Sequence, residues 1–118
     1  MVVRNLFSVL FALAQVNTAT ISGTVRDTSG AVLPGVNVAI LNQDTGISRA
    51  VTTNETGRYS APALGLGNYQ VTAQLQGFQS QVRSGIALTV GREAVVDFTL
   101  AVGAATESVE VTGEAPLV

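Results

Sequence analysis

Asp44-Thr45-Gly46 is the triplet of this 118-residue sequence that invites a catalytic reading. In aspartic-protease chemistry two such carboxylates meet on a dimer axis and share one proton, because like charges that close cannot both ionise. Each carboxylate must then follow a buried apolar strand, whereas here Asn42 and Gln43 precede Asp44 and put it in a polar loop. A chance match of a short motif explains the triplet better. Asp27, Asp44 and Glu55 raise the question of calcium, which needs about six to eight oxygens gathered in one place. These carboxylates sit singly in separate turns, so turn capping is the role expected of them. The sequence has no histidine and no cysteine, which removes the usual zinc and copper ligands together with the nucleophiles and bases those residues supply. No catalytic residue, metal site or cofactor is therefore expected. Six scattered arginines and a net charge of -2 build no basic patch, and this argues against a nucleic-acid partner.

The chemistry left to such a chain is that of the backbone. In "ESVEVTG" (Glu107, Ser108, Val109, Glu110, Val111, Thr112 and Gly113) the valines alternate with polar residues in the period of a strand. The stretch then gives way to Glu114 and Pro116. Seven candidate strands precede it, and Ala101 to Ala105 is a run of mostly small residues. The segment is accordingly expected to leave the domain as an arm rather than to close it as a last strand.

Strand alternation runs through the elements that would carry this arm. "TISGTVRD" sets Ile21, Gly23 and Val25 on one face, and "VNVAIL" sets Val36, Val38 and Ile40. "YQVTAQL" sets Tyr69, Val71, Ala73 and Leu75 inward, and "REAVVDFTL" sets Ala94, Val96, Phe98 and Leu100. Such alternation means one buried face and one wet face. Weaker runs lie at 48–53, 57–64 and 78–90, and in the last of these Gly85 marks a bulge or a break. "DTSG", "QDTG", "NETG" and "LGLGN" connect the runs, each pairing a turn-forming polar side chain with a glycine. Seven short strands over residues 20–101 with regular turns imply an all-β sandwich.

The first twenty residues differ in texture. Arg4 precedes an apolar run from Leu6 to Ala14, too short for the roughly 20 residues that span a bilayer and of the length of a secretory core. Residues 1–19 are expected to be a signal-peptide helix, cleaved after Ala14 or after Ala19, and the protein is expected to be exported.

Several motifs then occur in order: G-x-V-x-D-x-x-G at Gly23, Val25, Asp27 and Gly30; P-G-V-x-V at Pro34, Gly35, Val36 and Val38; T-x-x-x-G-x-Y at Thr53, Gly57 and Tyr59; G-x-Y at Gly67 and Tyr69; and Gly77-Phe78. From Ile21 to Leu100 the sequence resembles the carboxypeptidase regulatory-like domain. That resemblance implies a seven-stranded, Greek-key, transthyretin (prealbumin)-like sandwich, in which these residues serve turns and core. "LGLGNY" departs from the proline-rich loop common in that family, which loosens a loop without changing the fold. The domain is an accessory to peptidases and carries no peptidase chemistry itself.

The order of parts, signal peptide then sandwich (20–101) then a tail (102–118), further resembles the N-terminal extension of TonB-dependent outer-membrane receptors, with "ESVEVTG" similar to a TonB box. The resemblance implies a non-catalytic accessory domain in the periplasm or outer membrane of a Gram-negative bacterium. Its partners would be a TonB-type energy-transducing protein, met by strand addition, and the plug and barrel of the same receptor. A 22-stranded barrel alone takes more than roughly 220 residues, so this sequence does not hold one. Two alternatives share the fold: a carbohydrate-binding module on a starch-binding-like sandwich, and a structural surface or adhesin-like module. Sugar platforms usually stack exposed aromatic rings; the sequence has no tryptophan, and Tyr59 and Tyr69 fall at inward positions.

Overall fold

Val36, Val38, Ile40, Val71 and Ala73 have no exposed surface, so the alternation of "VNVAIL" and "YQVTAQL" does set one face of a sheet inward. The computed structural model describes residues 17–103 and the backbone of 108–112. The expected signal-peptide helix lies almost wholly outside those residues. Ala19 is already buried and opens the first strand, so of the two expected cleavage positions only the one after Ala14 leaves that strand whole.

Two sheets pack face to face. The first is built on β1 (Ala19–Asp27), with β4 (Arg58–Leu64) antiparallel on one side and β7 (Glu93–Val95) and β8 (Phe98–Leu100) parallel on the other. The second runs β3 (Ser48–Thr52), β2 (Asn37–Asn42), β5 (Gly67–Gln74), β6 (Ser80–Leu88) and β9 (Ser108–Thr112). The core between them is mainly aliphatic, closed by Ile21, Val25 and Leu100 from the first sheet and by the β2 and β5 residues from the second, with Tyr59, Tyr69 and Phe98 also buried in it.

The described strands number nine where the sequence suggests seven. One addition comes from "REAVVDFTL", expected as a single strand. Its inward set holds, with Ala94, Val96, Phe98 and Leu100 all buried, but its ladder with β1 breaks at Val96 and Asp97. Ser22 pairs with Val95 and Val25 with Phe98, so no residue is inserted. Instead the Thr24 amide donates to the Asp97 carboxylate (2.8 Å), and the Val96 carbonyl accepts from the Tyr59 hydroxyl (2.5 Å). Side chains thus bond two of the backbone groups at the break, while the Val96 amide still donates to the Ser22 carbonyl (2.7 Å).

The other addition is β9. Gly85 resolves as a bulge: its φ is +78°, and the register between β5 and β6 shifts there, Tyr69 facing Ile86 while Val71 faces Arg83. A bulge strengthens local twist and ends regular pairing. The straight part of β6, Ser80 to Ser84, pairs on its other side with Ser108 to Thr112, in parallel. β4 carries a comparable irregularity at Pro62 and Ala63, where Ala63 has a φ of +59° and Arg49 donates to both carbonyls (2.6 and 3.4 Å).

Candidate functional site

Gly23 and Tyr59, taken from two separate sequence motifs, are register partners across β1 and β4. A Cβ at Gly23 would lie 1.9 Å from the Val96 carbonyl oxygen. Glycine is needed here for close approach, since it lets the segment between β7 and β8 come near enough for Tyr59 to reach Val96. Burial first, and the negative charge of Asp97 second, push the Tyr59 hydroxyl well above its ordinary pKa. It therefore stays a protonated donor. Arg83 of β6 reaches across the sandwich rim to stack on Phe98, its guanidinium carbon 5.4 Å from the ring centre.

The remaining motif residues are turn fasteners. The Asp27 carboxylate accepts from the Ser29 hydroxyl (2.6 Å), the Ser29 amide (2.8 Å) and the Ala31 amide (3.1 Å), and these bonds, the Ser29 hydroxyl foremost, hold it below the usual carboxylate range. Thr53, buried, donates to the Leu33 carbonyl (2.7 Å) and accepts from the Val36 amide (2.9 Å), clasping the Pro34-Gly35 turn from both sides. Gly30, Gly35, Gly57, Gly67 and Gly77 all adopt positive φ. At Gly57 a Cβ would also meet the Val25 carbonyl oxygen at 2.8 Å. Phe78 is half-buried against the core.

Asp44 is exposed and accepts from the Asn68 amide (3.0 Å), latching the β2–β3 turn to the start of β5. It holds a loop closed, as Asp27 does in its own turn. Among the described residues no group of three or more acidic, histidine or cysteine side chains could hold a metal. Sequence reasoning missed Asn42. It is 3% exposed and joins the Asp44 and Thr45 amides, the Leu66 carbonyl and the Tyr69 hydroxyl; Tyr69 passes the chain of bonds to the Gly65 carbonyl (2.7 Å). The one available signal was its inward position at the end of the β2 alternation.

Two surfaces among the described residues bear on partner binding. One is a shallow cleft of about 770 Å³ on the outer face of the first sheet, lined by Ser22, Thr24, Arg58, Ser60, Glu93 and Asp97 among others. These are the wet positions of the alternating strands. Tyr59 and Tyr69 are 4% and 3% exposed, so neither offers a ring face there.

The other is the rim where the chain leaves β8. The expectation of a linker leading away from the domain is corrected here. The Gln79 amide donates to the Ala101 carbonyl (2.7 Å), the Gly103 amide donates to the Gly77 carbonyl (3.0 Å), and Phe78 and Val102 form an antiparallel bridge. These backbone bonds turn the chain back along the Gly77–Gln79 corner, which leads directly into β6. Ser108 to Thr112 then lie along β6 as its edge partner. Glu107 and Gly113, the ends of the expected partner-binding segment, lie outside the described residues.

The two sheets, the first of them fastened by the tyrosine hydroxyl to the Val96 carbonyl, define a two-sheet β-sandwich. Residues 20–101 match the carboxypeptidase regulatory-like domain, and the chain belongs to that family. Solved structures share the fold at low identity. The Bacillus anthracis TIE protein is 20% identical with a TM-score of 0.62, over 73% of this chain and 17% of that one. A catechol 1,2-dioxygenase from Acinetobacter is 12% identical with a TM-score of 0.64, over 85% and 60%. A putative carbohydrate binding protein from Bacteroides uniformis is 18% identical with a TM-score of 0.57, over 71% and 41%. The chain thus spans less than two thirds of each of these proteins. No curated protein sequence matches it.

Proposed function

We propose that the domain is a non-catalytic, exported accessory module of a TonB-dependent outer-membrane receptor, working in the periplasm, and that its C-terminal segment binds a TonB-type energy-transducing protein by strand addition. The observation that carries this reading is the extended backbone of Ser108 to Thr112 at the edge of a sheet. A segment that takes up extended backbone offers a row of amides and carbonyls to a second protein, and the alternation of its sequence sets the register. The acidic, then alternating valine and polar, then threonine pattern of Glu107 to Gly113 supplies the resemblance to a TonB box. Plug and barrel would belong to the same receptor.

The test uses a peptide of residues 105–115 and its Val111→Pro form, titrated onto the C-terminal domain of a TonB-type protein. The native peptide is expected to bind and the proline form to fail, because proline removes a backbone donor. Failure of both peptides would overturn the reading.

A second reading takes the cleft on the first sheet as a carbohydrate site. Hydroxyls at Ser22, Thr24 and Ser60 and charges at Arg58, Glu93 and Asp97 are groups that hydrogen-bond sugar hydroxyls, and the sandwich resembles that of a putative carbohydrate binding protein. Retention on an oligosaccharide array, lost in Arg58→Ala, would favour it; a blank array would remove it.

A further inference from the structure

We propose that the outer edge of β6 is a docking site for the chain's own C-terminal segment, and that docking holds the segment back from its partner until it is released. The inference rests on the strand-addition reading and concerns the regulation of that same segment. It starts from β6 itself, a strand of nine residues from Ser80 to Leu88. A long strand with an unpaired edge is a ready template for other chains, and folded proteins cover such edges, shorten them or bend them. In this domain the Gly85 bulge bends the far part, and Ser108 to Thr112 cover the straight part, pairing residue for residue with Ser80 to Ser84.

The approach to that edge is built into the body of the domain. Backbone bonds between Ala101 and Gln79 and between Gly103 and Gly77 deliver the chain to the corner that starts β6. Phe78 at that corner packs against the core and bridges Val102. Only residues 104–107 separate the anchored Gly103 from β9. A tether so short gives the segment an effective concentration in the millimolar range at its site, so a five-residue pairing too weak to hold a free peptide keeps a tethered one docked. One side of a strand is then in use by β6. The partner's sheet edge takes the side of the segment that β6 holds, so its binding requires undocking.

The arithmetic follows from population: a segment docked nine-tenths of the time binds its partner about tenfold more weakly than the same segment free. The chain has no cysteine of its own, which makes a crosslink test clean. Val82 and Glu110 are register partners. Neighbouring strands lie about 4.8 Å apart, inside the span of about 4.4–6.8 Å that a disulfide bridges. The full chain carrying Val82→Cys and Glu110→Cys is oxidised, then titrated with the C-terminal domain of a TonB-type protein, before and after reduction. The peptide of residues 105–115 is titrated in parallel.

The expected result is that the disulfide forms without denaturant, that the oxidised chain loses capture, that reduction restores it, and that the peptide binds about tenfold more tightly than the reduced chain. A disulfide that does not form contradicts docking. Equal capture of oxidised and reduced chains, with the peptide binding, overturns the holding-back role and leaves strand addition intact. No binding by the peptide overturns strand addition, and with it the role proposed here.

Discussion

Replacing Tyr59 with Phe removes one buried oxygen and asks whether the Gly23–Tyr59–Val96 joint holds β7 and β8 against β1. The hydroxyl belongs to a ring that is 4% exposed, and its acceptor residue, Val96, is 3% exposed. Their bond is short, 2.5 Å. Water does not reach the carbonyl once the donor is gone, so the substitution strands a buried acceptor, at a cost of about 1–3 kcal/mol. In a domain of this size about 2 kcal/mol lowers Tm by about 8–16 °C.

The same residue has a pH signature. Its pKa is raised in the folded state above the ordinary 10.0, so below that value both states carry the proton and the hydroxyl makes its full contribution. Above it the unfolded chain loses the proton first, and stability falls as pH rises. Between pH 7 and pH 11 the loss amounts to about 1.4 kcal/mol. Tyr59→Phe lacks this loss, and Tyr69 is common to both proteins, so the gap between them should narrow by that amount. Urea unfolding followed by circular dichroism at both pH values reads the effect. A variant within about 0.5 kcal/mol of wild type at pH 7, the scale of an ordinary surface change, or a gap that stays constant to pH 11, would refute the argument.

Gly23→Ala should be more damaging than Tyr59→Phe, because its Cβ would overlap the Val96 carbonyl at 1.9 Å; a melting curve unchanged from wild type would contradict the close approach. Ala63→Gly should stabilise the domain by about 0.5–1 kcal/mol, since Ala63 is held at a φ of +59° that an L side chain resists; urea midpoints check this. Asp27→Asn should flatten the acid limb of the stability curve. The Asp27 carboxylate is lowered from 3.8, so its contribution is present above that value and lost as pH falls below it, a loss the amide does not suffer. Stability measured between pH 5 and pH 2 decides the point, and parallel curves would contradict it.

The sandwich was legible because its signal lies in side chains. Val36, Val38 and Ile40, or Tyr69, Val71 and Ala73, announce a buried face by period alone. Gly23 and Tyr59 could be singled out separately, though their meeting could not, since register between β1 and β4 is a matter of tertiary pairing. The break at Val96 was hidden for a related reason: alternation continues through it, while one donor and one acceptor there are side chains. The tail was least legible. Its small residues suggested freedom, while its path is set by the backbones of Ala101 and Gly103 on those of Gln79 and Gly77. Backbone bonding of that kind leaves no residue pattern to read. Asn42 was passed over because a polar residue beside a turn is ordinary, and its burial shows only once Tyr69 and Leu66 close around it.

Amide hydrogen exchange of the full chain, alone and with the C-terminal domain of a TonB-type protein, tests the account most directly. Alone, the amides of Ser108 to Thr112 and those amides of Ser80 to Ser84 that face β9 should be protected together and open together, below the stability of the β2 and β5 core. With the partner added, the β6 amides should lose protection while those of the tail keep it, as the segment passes from its own sheet to another. Protection of β6 that does not change on adding a saturating partner, or a tail unprotected in both states, would contradict it.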